Sequence, residues 1–221
     1  MEKIEIKKDL RELNNKIAMQ NRSVFNENSI FTLNIMGSPG SGKTTLLENI
    51  LKPLTVSFRI AVIEGDLATD NDSERIKKLG VTALQINTNG GCHLDAKMIQ
   101  KELSGIDLND IDLLIIENVG NLVCPISYDL GEDMRLVVLS TPEGEDKPLK
   151  YPPAMLNTDA VVLTKTDLAQ FVDVNIKMME KHIKDINPKA SILKAGKIDG
   201  VYNADCVTKF IVESINSKKG K

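Results

Sequence analysis

Eight consecutive residues, Gly37-Ser38-Pro39-Gly40-Ser41-Gly42-Lys43-Thr44, have the types and spacing needed to hold a polyphosphate. The glycines let the backbone curl until successive N–H groups point inward as an anion nest. The run follows an apolar segment and opens a helical pattern, so the positive end of a helix dipole adds to the nest. Lys43 supplies a point charge to the terminal phosphates, and Thr44 offers a hydroxyl to Mg²⁺. Such a loop also needs a carboxylate on a neighbouring strand to hold the magnesium shell. Asp112-Leu113-Leu114-Ile115-Ile116-Glu117 ends in one, at the edge where open α/β sheets bind ligands. In Asn118-Val119-Gly120, which follows, the glycine is placed to sense a γ-phosphate. Asp66, closing Glu64-Gly65-Asp66, is a further magnesium candidate, with Asp70 and Asp72 competing for the same role.

Base choice is suggested by Leu163-Thr164-Lys165-Thr166-Asp167, which follows an apolar run and resembles the guanine-reading N/T-K-x-D element of GTPases, with Thr164 in the place usually held by Asn. The Asp167 carboxylate can accept from both N1–H and the exocyclic amine of guanine. Adenine offers neither donor in that arrangement, so the carboxylate would be left unpaired. The stem of Lys165 can lie over the base.

A second kind of chemistry is suggested by Gly90-Gly91-Cys92-His93-Leu94-Asp95 and by Cys124 downstream of Glu117. Neighbours on a strand point to opposite faces, so Cys92 and His93 can share one ion only if the backbone turns, which Gly90-Gly91 permits. A helix starting nearby is expected to lower the Cys92 pKa and favour the thiolate. The residues alone leave two readings open: metal ligands, or small buried cysteines beside a satisfied loop histidine. His182 reads as a surface histidine, Cys206 as core, and Glu143-Gly144-Glu145-Asp146 as a solvated loop.

These groups need elements to position them. Continuous apolar runs at 31–36, 59–64, 81–86, 112–116, 135–139 and 160–163, with a weaker one at 190–193, read as strands. Helical spacing appears at 42–51, 72–79, 94–103, 172–186 and 204–215. Continuous rather than alternating apolar strands indicate a sheet covered on both faces, hence parallel β/α units in three layers. Residues 1–28 are polar, with Leu10, Leu13 and Ile17 at helical spacing, and read as an amphipathic helical arm before a single domain over 29–221. Of 221 residues, 42% are hydrophobic and 27% charged, which argues against general disorder. A net charge of −3 lacks the basic excess of a dedicated nucleic-acid binder. No apolar run approaches a membrane span, and the mixed-charge start predicts no secretory signal. The expected compartment is the cytoplasm, where three cysteines read as ligands or core rather than bridges.

Taken together, the phosphate loop, Glu64-Gly65-Asp66-Leu67, Cys92-His93-Leu94-Asp95-Ala96, the 117–125 run from Glu117 to Cys124-Pro125, and the 143–152 run resemble the HypB family. These are GTPases of nickel insertion into nickel–iron hydrogenases, in the SIMIBI class of P-loop proteins. The resemblance spans about residues 5–190 and implies a mostly parallel sheet with helices on both faces. It implies that GTP or GDP is held by residues 37–45, Thr45 included, and by Lys165 and Asp167. Lys43, Thr44 and Glu117 would serve catalysis, and Thr44, Asp66 and Glu117 the Mg²⁺. Cys92, His93 and Cys124 would take Ni²⁺ or Zn²⁺ at a homodimer interface, and Lys147 or Lys150 would meet nucleotide or the partner subunit. Nickel accessory proteins and a hydrogenase precursor are the implied partners. No hydrolytic arginine finger or water-positioning Gln stands out, so turnover is expected to be slow. Two further departures bear on function. The Cys-rich and His-rich N-terminal segments of some members are missing, so tight nickel binding or storage there is not expected. Ser191 to Lys197 matches the family's guanine loop poorly, so no base contact is assigned beyond residue 190. Rival readings are a urease-type nickel accessory GTPase, a P-loop small-molecule kinase, which would prefer adenine, and a passive metal store, which would need more than five His and Cys.

Overall fold

The computed structural model describes residues 2–66 and 75–220. In chain order its main elements are α1 (Glu2–Glu27), β1 (Phe31–Gly37), α2 (Lys43–Leu54), β2 (Ile60–Asp66), β3 (Thr82–Asn87), α3 (Ala96–Glu102), β4 (Leu113–Gly120) and β5 (Met134–Ser140). There follow α4 (Lys147–Lys150), α5 (Pro152–Leu156), β6 (Ala160–Thr164), α6 (Ile176–Ile186), β7 (Ser191–Lys194), β8 (Gly196–Ile198), β9 (Val201–Asn203) and α7 (Asp205–Lys219). The seven-stranded sheet has the order β3-β2-β4-β1-β5-β6-β7. Every neighbouring pair in it is parallel.

The apolar strands are continuous because both faces are covered. On one face α2 lays Leu46, Leu47, Ile50 and Leu51 against Leu33, Ile35 and Leu113, and α7 adds Val207, Ile211 and Ile215. The other face is shared. Phe25 of α1 and Ile99 of α3 cover Ile63, Leu114 and Ile116, while Met155 of α5 and Met179 of α6 cover Val137 and Leu163. The outcome is the three-layer α/β sandwich expected from the strand pattern. Among the described residues, no helix is long and apolar enough to cross a membrane.

Four local differences have physical causes. The strand expected at 112–116 runs on to Gly120, which places Glu117 and Asn118 inside β4. The helix expected from 172 starts at Ile176, because Asn175 caps it by accepting the Met178 amide, and a 3₁₀ turn (Thr166–Phe171) precedes it. The β8–β9 hairpin was not foreseen. Its signal was Asp199-Gly200, both at positive φ as a tight hairpin turn requires. Of the helix expected at 72–79, residues 75–77 are helical, while Asp70, Asp72 and the start of that helix lie outside the described residues.

Helix α1 faces inward differently from its apolar spacing. Leu10 and Leu13 are 56% and 55% exposed, while Asn14, Ala18, Asn21 and Phe25 are buried. The surface it meets is polar backbone at Ala96 and at Asp129–Leu130, so amides rather than leucines point inward. Cys206, expected in the core, is exposed; it sits in the first turn of α7 and approaches the Lys194 carbonyl. The 143–146 stretch is not a solvated loop. Glu143 closes a capping box with Ser140 and pairs with Lys147, and Glu145 accepts the Asn175 amide. His182 is half-buried, with Nδ1 2.9 Å from the Glu145 carbonyl.

Close approach of α1 to the β4–β5 connection depends on Gly131. Its φ is +95°, and a Cβ there would stand 2.7 Å from the Ala18 carbonyl and 2.9 Å from the Arg22 nitrogen. Gly131→Ala should therefore destabilise the protein by about 1–3 kcal/mol, read from urea unfolding midpoints; an unchanged midpoint would contradict this packing.

Candidate nucleotide and metal site

The phosphate loop leaves β1 at Gly37 and turns through Gly40 and Gly42, at φ +73° and +92°, before α2 begins at Lys43. A side chain at either glycine would be strained, so the nest depends on them. Lys43 Nζ curls back over the loop to the carbonyls of Gly37 and Ser38, at 3.3 and 3.4 Å. The Thr44 hydroxyl donates to Glu117 Oε1 at 2.9 Å. Thr44 and Glu117, 73 positions apart in sequence, are thus brought together by the β1–β4 pairing. Glu64 was passed over in favour of Asp66. It is buried beside Glu117, its register partner on the adjacent strand, and its place at the end of the apolar run Ile60-Ala61-Val62-Ile63 was the available signal. Two neighbouring carboxylates and a hydroxyl form a hard-oxygen donor set of the kind Mg²⁺ takes. Asp66 ends β2, paired with Asn87 of β3. Glu143 adjoins the loop as well. Burial pushes its carboxyl up, but hydrogen bonds from Ser140 and Ser38 and the Lys147 ammonium outweigh this and hold it below the usual range.

The 163–167 segment expected to read the base is anchored to the same loop. Thr164 Oγ1 donates to the Ser41 carbonyl at 2.5 Å, giving the short hydroxyl the tethering role an Asn amide would fill. Lys165 adopts φ +55° and extends Nζ to the Gly40 carbonyl at 2.8 Å, which ties it to the phosphate loop. Asp167 Oδ1 accepts the Lys197 amide at 2.9 Å. Thr166 donates from its amide to the Ala195 carbonyl at 3.3 Å. A Cβ on Gly196 would be 2.7 Å from Asp167 Oδ1, so this glycine lets the chain pass beside the carboxylate. The 195–197 segment thus packs directly against Thr166 and Asp167, a neighbourhood that the sequence signals only through the glycine in Ala195-Gly196-Lys197. Tyr202, across the hairpin from Lys197, has its phenol pushed up to about 12 by burial and by the Asp167 charge.

Cys92, His93 and Cys124 converge, with one donor atom from each lying within 4.8 Å of the others. The turn that allows this runs through Asn89 and Gly90 at positive φ and is closed by hydrogen bonds between Thr88 and Gly91. Cys92 Sγ lies 3.6 Å from His93 Nδ1, and the imidazole stacks on the Tyr128 ring with centroids 3.8 Å apart. Tyr128 follows the 3₁₀ turn (Pro125–Ser127) that Cys124 opens, so one turn delivers both a thiol and an aromatic face. Burial lowers the His93 pKa, which favours the neutral, metal-binding ring. The lowered Cys92 pKa expected from a nearby helix is not found. Its thiol is pushed up, first by its hydrogen bond with Cys124 and then by burial. Helix α3 starts only at Ala96, with Asp95 capping it at Met98, so its dipole is spent elsewhere.

The two centres share backbone. Gly120 would clash with Pro39 of the phosphate loop if it bore a Cβ, at 3.1 Å, and Asn121 bridges to Gly37. Asn121 then donates to the Cys92 carbonyl at 3.1 Å and accepts the Val123 amide, one residue before Cys124. Asn118 accepts the Leu94 amide at 3.2 Å.

Residues 31–194 match the family model described as CobW/HypB/UreG, nucleotide-binding domain. The chain is 40% identical over 216 residues to the probable hydrogenase maturation factor HypB of Methanocaldococcus jannaschii, covering 98% of this chain and 97% of that one. It is 44% identical over 197 residues to the HypB of Azotobacter vinelandii, covering 89% of this chain and 65% of that longer protein. The solved HypB of Archaeoglobus fulgidus superimposes with a TM-score of 0.86 at 36% identity, over 92% of this chain and 99% of that one. The HypB of Helicobacter pylori in complex with nickel does so with a TM-score of 0.85 at 38% identity, over 92% and 95%. Sequence and fold agree: the chain belongs to the HypB family of hydrogenase maturation factors, within the CobW/HypB/UreG group of nucleotide-binding proteins.

Proposed function

We propose that this protein is a GTP-hydrolysing nickel carrier in which nucleotide state governs the hold on a metal ion. The observation that carries the reading is the shared backbone from Glu117 to Cys124. Seven residues, at most about 25 Å of chain, join the acid facing Thr44 to a thiol facing His93. Residues 37–45 cradle the phosphates, Asp167 reads guanine and Lys165 supports the base. Thr44, Glu117 and Asp66, with Glu64 alongside, would hold Mg²⁺, which when bound neutralises developing phosphate charge. Lys43 supplies positive charge to the terminal phosphates.

Nickel or zinc is the cargo. Two thiols and an imidazole are a soft donor set suited to either ion, and three protein ligands do not close a tetrahedral site. The fourth position falls to water or to a second copy of the chain, which makes a metal-dependent homodimer the assembly that best fits the donor count. A site open on one side can also pass its ion onward. Its relatives are named hydrogenase maturation factors, which supports delivery during hydrogenase maturation; nickel accessory proteins and the hydrogenase precursor are the proposed partners, and the cytoplasm the proposed compartment. A second reading has specific support: the Helicobacter pylori relative, 41% identical over 196 residues, is named a hydrogenase/urease maturation factor. Urease as an alternative recipient therefore stands beside hydrogenase. The kinase reading is disfavoured by Asp167, a carboxylate suited to the donors of guanine rather than to adenine.

Three outcomes follow. Asp167→Ala should weaken GTP binding at least about a hundredfold in a calorimetric titration while leaving weak ATP binding unchanged, since the loss is confined to base-specific hydrogen bonds. Cys124→Ala should abolish stoichiometric Ni²⁺ binding by equilibrium dialysis and keep GTP affinity within about twofold; surviving nickel binding would mean the ligands are misassigned. Nickel affinity should differ about tenfold or more between the GDP and GTP-analogue states, a coupling of about 1.4 kcal/mol. Equal affinities would remove the switch.

A further inference from the structure

Two buried asparagines of α1 tie together the two segments that carry the metal ligands. Asn14 Nδ2 donates to the Asp129 carbonyl at 2.8 Å, and its Oδ1 accepts the Ala96 amide at 2.9 Å. Asn21, two helical turns later, donates to the Ala96 carbonyl at 2.8 Å and to the Leu130 carbonyl at 3.1 Å. Ala96 stands three residues after His93, and Asp129 five after Cys124. Each asparagine therefore has one hand on the Cys92–His93 segment and the other on the segment following Cys124 and Tyr128.

Residue chemistry and position both point to purpose at this contact. An amide side chain is planar and carries donors and an acceptor together, so Asn14 joins two backbone strands as a peptide group would, while Asn21 does so through its two donors alone, its buried Oδ1 accepting no hydrogen bond. Burying such groups on a helix costs free energy unless each is paired, and an apolar stripe would have been the ordinary way to seat this helix. The helix has such residues, but Leu10 and Leu13 face outward. A further tie is added by Arg22, whose guanidinium takes both Asp129 carboxylate oxygens at 2.8 and 3.0 Å. That pair helps hold the Asp129 carboxyl below its usual range against the upward push of burial. On the inner side, Asn118 and Asn121 hold Leu94 and Cys92 to β4, while α1 splints the outer side.

We propose that α1 is a splint for the metal site, with Asn14 and Asn21 as positioning residues that fix the spacing of Cys92 and His93 relative to Cys124. This rests on the reading of those three residues as metal ligands. Groups that orient ligands without touching the ion typically change affinity by about 10- to 100-fold when removed. The helix thereby sets how tightly the ion is held, although it contributes no donor.

The test compares the full chain with Asn14→Ala/Asn21→Ala and with Ile211→Ala, a fully buried site on α7 across the sheet that serves as a destabilised control. All are titrated well below their melting temperatures, with Ni²⁺ alone followed by the sulfur-to-nickel charge-transfer band and with Zn²⁺ alone followed by calorimetry, and GDP affinity is measured in parallel. The double variant should bind both ions about tenfold or more weakly, with an altered charge-transfer band and GDP affinity within about twofold. Ile211→Ala should bind nickel like the parent. Unchanged affinity and spectrum in the double variant would overturn the splint, as would an equal loss in Ile211→Ala. A parent chain that binds neither ion would instead overturn the metal reading itself, a failure visible before any substitution is made.

Discussion

Everything at the sheet's C-terminal edge depends on where the carbonyl end of β4 is held. Glu117 meets the Thr44 hydroxyl, Gly120 packs on Pro39 and Asn121 bridges to Gly37, so three consecutive contacts press this strand end against the phosphate loop. Beyond Asn121 the chain reaches Cys124 within three residues. Gly120 lies close enough to Pro39 that an added Cβ would stand 3.1 Å from its Cα, so the strand end and the phosphate loop meet through backbone. The proposed coupling between the phosphates and a sulfur has its physical route through this contact.

Asparagine is the recurring joint. Asn34 and Asn118 are buried neighbours on β1 and β4; Asn118 donates to Asn34, which donates to Glu132, whose other oxygen accepts the Leu130 amide. The Glu132 charge is met by Arg135. This polar chain runs beneath the metal site from Leu94 to Leu130, the same two segments that Asn14 and Asn21 join from above. Buried amides are destabilising when half satisfied and rigidifying when paired; Asn14, Asn34 and Asn118 each engage donor and acceptor, and such a layer specifies one arrangement more sharply than leucines would. A site that must keep two loops in register while remaining open to an incoming ion has use for that specificity.

The nucleotide half was the more legible in the sequence, and the reason is locality. Phosphate recognition uses consecutive backbone groups, so glycine spacing, Lys43 and Thr44 announce it in eight residues, and the continuous apolar runs announce the parallel sheet that presents it. Glu117 could be chosen because it terminates such a run. The residues that escaped act at long range. Glu64 matters through its register with Glu117, and the Lys197 amide through a hairpin whose short strands carry little pattern. The inward face of α1 misled for a related cause: hydrophobic spacing predicts which side meets an apolar surface, but this helix meets backbone carbonyls and amides. Cys206 was read as core because a cysteine on a final helix usually packs inward, whereas here it falls in the exposed first turn.

The metal half was legible only as a set of residue types. Cys92 and His93 are adjacent, and adjacency alone argues against shared coordination on a strand; the turn at Asn89–Gly90 reverses that conclusion. The thiol electrostatics reverse another. The Cys92 thiol, pushed up by its hydrogen bond with Cys124 and by burial, must give up its proton to an ion, so binding there competes with protonation. Proton and ion contend for the same sulfur, and it is the turn at Asn89–Gly90, not an acidified thiol, that prepares the cluster.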